Sequence, residues 1–151
     1  MHLFIKIFLG SDMIHHVSLA VSDGLRSLKF YDTTLATLGY ERVLYIEKLP
    51  DAQHLAGYGK DGKPNFWIAA PNDATQPDEQ IGKARRMHVA FLAHSAQDVD
   101  NWYQSCLAAG GTDNGKPGPR AYYHPGYYGA FIIDPDGWRI EACFQNYKHT
   151  E

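Results

Sequence analysis

Two histidines and one glutamate stand out in this chain by type and spacing. His16 opens the run His16-Val17-Ser18-Leu19-Ala20-Val21, and His88 opens His88-Val89-Ala90-Phe91-Leu92-Ala93, at an offset of 72. Glu141 lies in Trp138-Arg139-Ile140-Glu141-Ala142-Cys143-Phe144, a carboxylate in the middle of a strand whose other face is apolar. Neutral imidazoles and a carboxylate converging on one point are what a divalent metal ion needs, and two histidines with one carboxylate leave coordination positions open for water or substrate. That donor set suits Fe, Mn, Ni or Zn. A carboxylate drawn into a sheet without a partner would lose its charge or cost several kcal/mol, so Glu141 requires a reason for its place.

The elements that must position these groups follow from periodicity. Both histidine runs alternate as half-buried strands. Val17, Leu19 and Val21 share one face, and Val89, Phe91 and Ala93 share the matching one, so His16 and His88 occupy equivalent positions on the opposite faces. In the closing strand Glu141 is opposed to Trp138, Ile140, Ala142 and Phe144, which places it on the histidine side. Each opening strand leads to a helix. Ser22 or Asp23 caps the first, with a stripe of Leu25, Leu28, Tyr31, Leu35 and Leu38 ended by Gly39. Ser95 caps the second, with Asp98 three residues on, a stripe of Val99, Trp102, Tyr103, Cys106 and Leu107, and a stop at Gly110-Gly111.

Three strands are expected after each helix: 41–49, 53–60 and 64–70, then 120–124, 127–134 and 138–145. Asp61-Gly62 and Asp136-Gly137 read as hairpin turns. The order strand–helix–three strands occurs twice, which predicts an α+β fold of two βαβββ modules that must pack together to bury a sheet face each. The modules span 14–71 and 86–147 and are joined by a polar, proline-containing linker at 72–85. Residues 1–13 form an apolar but lysine-interrupted extension, too short to cross a bilayer, and Met13 is an alternative start.

Composition bounds the function. The chain has 151 residues, 44% of them hydrophobic, and a formal charge of −3, with its 14 lysines and arginines scattered, which gives no basic field for nucleic acid. Nothing in it calls for a membrane. Cys106 and Cys143 are too few for a disulfide framework and sit in periodic segments, so buried thiols and a cytoplasmic setting are expected. A small-molecule substrate and a homodimer, formed by pairing modules within or between chains, complete the expectation.

Around the metal candidates, Ala121 to Gly129 contains four tyrosines and a histidine. His124 is the candidate general acid/base, supported by Tyr128 or Tyr123, because imidazole titrates near neutrality and phenols orient oxygen groups. Trp67 and Ser18 share the His16 face and are candidate substrate-pocket residues, and Arg120 is a candidate partner for a substrate carboxylate.

These residues resemble the vicinal oxygen chelate superfamily, which includes glyoxalase I, bleomycin-resistance proteins, fosfomycin-resistance transferases and extradiol ring-cleaving dioxygenases. The resemblance runs from Ile14 to about Gln145. It rests on His16-Val-Ser-Leu-Ala-Val-Ser-Asp, Phe30-Tyr31, Leu38-Gly39, His88-Val-Ala-Phe and Asp134-Pro-Asp-Gly-Trp-Arg-Ile-Glu141. It implies paired modules forming a U-shaped mixed-sheet cavity flanked by helices, with His16, His88 and Glu141 at three metal-ligand positions. The fourth ligand usual in glyoxalase I would fall near Trp67 to Ala69, where none is present. His124 and Asp134-Pro135-Asp136-Gly137 match the extradiol pattern, while Phe131 replaces its tyrosine. The resemblance implies a metal-dependent enzyme for a small oxygenated or aromatic chelating substrate, with dioxygenase-like chemistry preferred. The alternatives are a glyoxalase I-like lyase, isomerase or thiol transferase, and a non-enzymatic drug-sequestering protein.

Overall fold

Alternation in the opening run produces strand β1 (Val17–Ala20), with Leu19 and the following Val21 buried and His16, Ser18 and Ala20 exposed. The computed structural model describes residues 14–71, 81 and 87–148. The extension 1–13 and, apart from Ile81, the linker up to residue 85 lie outside those residues.

Helix α1 (Gly24–Ala36) begins where the Asp23 carboxylate accepts the Arg26 N–H at 3.0 Å. It buries Leu28, Phe30, Tyr31, Thr34 and Leu35. Leu25, expected in that stripe, is 64% exposed, because the buried arc is centred on Tyr31 and position 25 falls at its edge. Gly39 ends the helix region at φ 78°, a conformation that costs a residue bearing a Cβ. Strands β2 (Glu41–Lys48), β3 (Ala52–Lys60) and β4 (Lys63–Pro71) follow. Asp61 (φ 52°) and Gly62 (φ 74°) make the two-residue turn between the paired Lys60 and Lys63. The sheet order is β1-β4-β3-β2, with β1 parallel to β4 and the other pairs antiparallel.

The second module repeats the plan with β5 (His88–Leu92), α2 (Ala96–Ala108), β6 (Thr112–Pro119), β7 (Tyr128–Ile133) and β8 (Arg139–Phe144), in sheet order β5-β8-β7-β6. Ser95 Oγ accepts the Asp98 N–H at 3.1 Å and starts α2, which buries Val99, Trp102, Tyr103 and Cys106 and leaves Leu107 at its rim, 36% exposed. One strand differs from expectation. The segment 120–124 forms a turn, and the edge strand is instead Thr112–Pro119, a polar stretch with two glycines and two prolines. An edge strand has one unpaired side and tolerates proline and breaks in register, here between Asp113 and Gly115 and between Gly115 and Gly118.

The fold is therefore α+β, a βαβββ module made twice. Among the described residues no ladder joins the two four-stranded sheets. Instead the helix-covered faces share one core that includes Leu19, Tyr31, Ile68, Trp102, Ile132 and Ile140. Polar contacts also tie the modules together. Tyr31 OH donates to Asp134 Oδ2 at 2.6 Å, and Asp136, with only 2% of its side chain exposed, accepts from Ser22 N at 2.9 Å, Arg26 at 2.8 Å and Ser27 Oγ at 3.0 Å. Both cysteines are free and buried. No helix among the described residues is long and apolar enough to cross a membrane.

Candidate metal centre

Register places the second-module ligands side by side. Parallel pairing aligns His88 with Arg139 and Ala90 with Glu141, so residues 88, 90 and 141 share the sheet face turned away from the helices. His88 Nε2 lies 3.4 Å from Glu141 Oε2; the histidine side chain is 52% exposed and the glutamate only 3%. The other carboxylate oxygen, Oε1, accepts a hydrogen bond from Tyr127 OH. Burial pushes the Glu141 pKa up from the ordinary carboxylate range, and the Tyr127 hydrogen bond and the charges of His88 and Arg120 oppose that shift. Tyr127 is held protonated by its own burial and by the adjacent carboxylate.

His88 and Glu141 line a hollow of about 300 Å³ with Tyr123, Tyr127 and Phe131. Tyr123 and Tyr127 meet edge to face with ring centroids 5.1 Å apart. The Arg120 guanidinium stands 5.7 Å from the centroid of Phe131 and donates to the carbonyls of Lys116 (2.7 Å) and Pro119 (3.2 Å). Three of the lining residues are aromatic, and the Arg120 guanidinium stands over one of them.

His16 lies elsewhere. It lines a separate hollow of about 580 Å³ with His15, Lys63, Pro64, Asn65 and Trp67. Its Nδ1 is 2.9 Å from His15 Nδ1, and its ring meets Trp67 edge-on at 6.5 Å. Ser18 pairs in register with Trp67 and is exposed on the same face. Trp67 packs against Gly57, where a Cβ would come within 2.8 Å of the indole. Among the described residues no three His, Cys, Asp or Glu side chains stand close enough together to hold a metal ion. The chain brings His88 and Glu141 together and leaves His16 apart from them.

A family model described as the glyoxalase/bleomycin resistance protein/dioxygenase superfamily matches residues 13–142. The chain belongs to that superfamily. Among solved structures, it is similar to a glyoxalase/bleomycin resistance protein from Albidiferax ferrireducens T118, at 27% identity and a TM-score of 0.66, over 85% of this chain and 96% of that one. A glyoxalase/bleomycin resistance protein/dioxygenase family enzyme from Burkholderia phytofirmans PsJN shares the fold at 20% identity and TM-score 0.59, over 87% and 98% of the two chains. A glyoxylase/bleomycin resistance protein/dioxygenase domain from Frankia sp. EAN1pec does so at 19% and 0.63, over 87% and 95%. None of the curated proteins matches the chain.

Members of the glyoxalase superfamily typically hold a divalent metal ion. The donor pair here fits one. Bonds of about 2.0–2.2 Å from one ion to an imidazole nitrogen and a carboxylate oxygen set those two atoms about 3–3.5 Å apart, the separation seen between His88 and Glu141. A buried, partly desolvated carboxylate is also a group that gains from a cation.

The remaining candidates are placed as follows. His124 Nδ1 accepts the Gly126 N–H at 3.1 Å, and Nε2 is hydrogen-bonded to Gln145 Oε1. Both ring nitrogens are thus committed to shaping the turn before β7. Tyr128 points to the helix layer, where its OH donates to Asp100 at 2.8 Å. Tyr123 is at the hollow. Tyr127, which sequence reasoning did not single out, is the tyrosine that reaches Glu141. The signal was parity: Ala130 and Ile132 are core residues, so 128 shares their face while 127, 129 and 131 share the other.

Proposed function

We propose that the protein is a metal-dependent enzyme of the glyoxalase superfamily whose centre is completed across a homodimer, by His88 and Glu141 of one protomer and His16 of the partner subunit. The observation that carries this reading is the buried Glu141 carboxylate with His88 Nε2 at 3.4 Å. The separation of His16 in its own hollow, on the equivalent face of the equivalent strand, favours a second copy as the source of the third ligand. A divalent ion bound there, Fe, Mn, Ni or Zn, supplies Lewis-acid polarisation of adjacent substrate oxygens.

The chain's own residues favour a small, flat, oxygenated substrate. Tyr123, Tyr127 and Phe131 provide ring faces and edges, and Arg120 provides positive charge for a carboxylate or phenolate substituent. Dioxygenase-like chemistry on an aromatic ring is the preferred reaction. The absence of a fourth ligand among Trp67 to Ala69 supports it over lactoylglutathione lyase chemistry. The aromatic lining also supports a second reading, a drug-sequestering binding protein.

Metal analysis of protein purified without chelator, followed by oxygen uptake with catechols, tests the proposal. The expected result is one divalent ion per chain, lost in Glu141→Gln, and oxygen consumption by the Fe(II)-loaded protein. Tight aromatic-ligand binding that survives Glu141→Gln and metal removal, without turnover, would establish sequestration instead.

A further inference from the structure

We infer that Tyr127 is a positioning residue for the candidate metal centre: by donating to Glu141 Oε1 it reserves Oε2, the oxygen facing His88, as a single-oxygen ligand. The inference rests on the metal-site reading above. Three observations at the site support it independently of sequence comparison. The two carboxylate oxygens have different partners, Tyr127 on Oε1 and His88 on Oε2, so the carboxylate is already divided between a fixed donor and an open side. Glu141 is buried while the imidazole beside it is half exposed, so protein donors rather than solvent hold the orientation of the carboxylate.

The third observation is Gly129. It lies on β7 between the Tyr127 and Phe131 positions, paired with Cys143. A Cβ at 129 would fall 3.0 Å from Tyr127 Cε1 and 3.1 Å from Glu141 Oε1. The strand therefore carries no side chain where a Cβ would crowd both the phenol and the carboxylate. Gly129 leaves the contact uncrowded, and the turn before it is fixed by Tyr127 N–H donating to His124 O and Arg120 N–H donating to Tyr127 O. His124, braced by Gly126 and Gln145, packs edge-on against the Tyr127 ring at 5.4 Å. The histidine that sequence reasoning assigned to proton transfer thus supports the phenol.

A carboxylate with one oxygen held by the phenol is oriented in advance and offers an ion a single bond, which keeps a coordination position open for substrate, and loss of that orientation weakens binding. Outer partners of metal ligands commonly change affinity by roughly 10–100-fold when removed.

The test uses full-length protein and two ions. Mn(II) titration should show Tyr127→Phe binding at least roughly tenfold more weakly than wild type. In the Co(II)-loaded protein, release of Oε1 should raise the coordination number and so weaken the visible absorption band. Gly129→Ala, which crowds the same contact from the opposite side, should reproduce both changes. Tyr122→Phe, at a side chain 76% exposed, should leave both unchanged. Wild-type Co(II) absorption in both Tyr127→Phe and Gly129→Ala, whatever their Mn(II) affinity, would overturn the positioning role. A wild-type protein that takes up neither ion would overturn the metal-site reading itself, and the inference with it.

Discussion

At the scale of single residues, parity along a strand decided most of what could be read in advance. Period-two alternation placed His16, His88 and Glu141 on the faces away from the helices, and the structure agrees at each position. The same rule, applied back from Ile132 and Ala130, separates Tyr127 from Tyr128; an aromatic cluster in a turn hides that distinction, because a turn has no period. His124 was legible as an imidazole near the site, but its commitment to Gly126 and Gln145 depends on backbone closure around residue 126. Asp134 carries a residue-scale prediction. It accepts from Tyr31 OH and from the N–H groups of Asp136 and Trp138, yet burial raises its pKa above the usual value. The folded state therefore holds this proton more tightly than the unfolded chain, and the group's contribution to stability falls as pH rises above about 4. Denaturant titrations at a series of pH values should show a shallower decline over that range in Asp134→Asn than in wild type. Tyr31→Phe, which deprives a buried carboxyl of its phenolic donor, should cost about 1.5–3 kcal/mol in the same measurement near neutrality.

At the scale of elements, helices and hairpin turns were legible because their signals are local: a cap, a stripe, a glycine. Removing the cap of α2 with Ser95→Ala should cost about 1 kcal/mol in chemical denaturation. The edge strand β6 was not legible by composition. Its residues are those of a loop, and they are held in the sheet by pairing with β7 from a distance. The 72-residue repeat does locate it, since β2 begins at Glu41, whose counterpart is Asp113 within β6. The β3–β4 hairpin gives a sharper test. A Cβ on Gly59 would fall 1.8 Å from the Lys63 carbonyl oxygen, which no rotamer can relieve. Gly59→Ala should lose more stability than Gly39→Ala, where φ is 78° but nothing lies within 4 Å. The second loss should be near 1 kcal/mol by thermal or urea unfolding.

At the scale of the molecule, the repeat foretold two modules and one shared core but not how the modules face each other. That arrangement involves contacts such as Tyr31 with Asp134 and Ser22, Arg26 and Ser27 with Asp136, which join residues more than 100 positions apart and leave no local pattern. The central proposal built on this fold is that one chain holds two parts of the site and a second copy supplies the third. Complementation measures this directly. Chains carrying His16→Ala and chains carrying Glu141→Ala should each bind Mn(II) poorly alone. Unfolded, mixed in equal amounts and refolded, half of the dimers should be mixed, each with one intact site, restoring about one site per four chains. A mixture that binds no more Mn(II) than its separate components, while wild type binds fully, would contradict a site shared between chains.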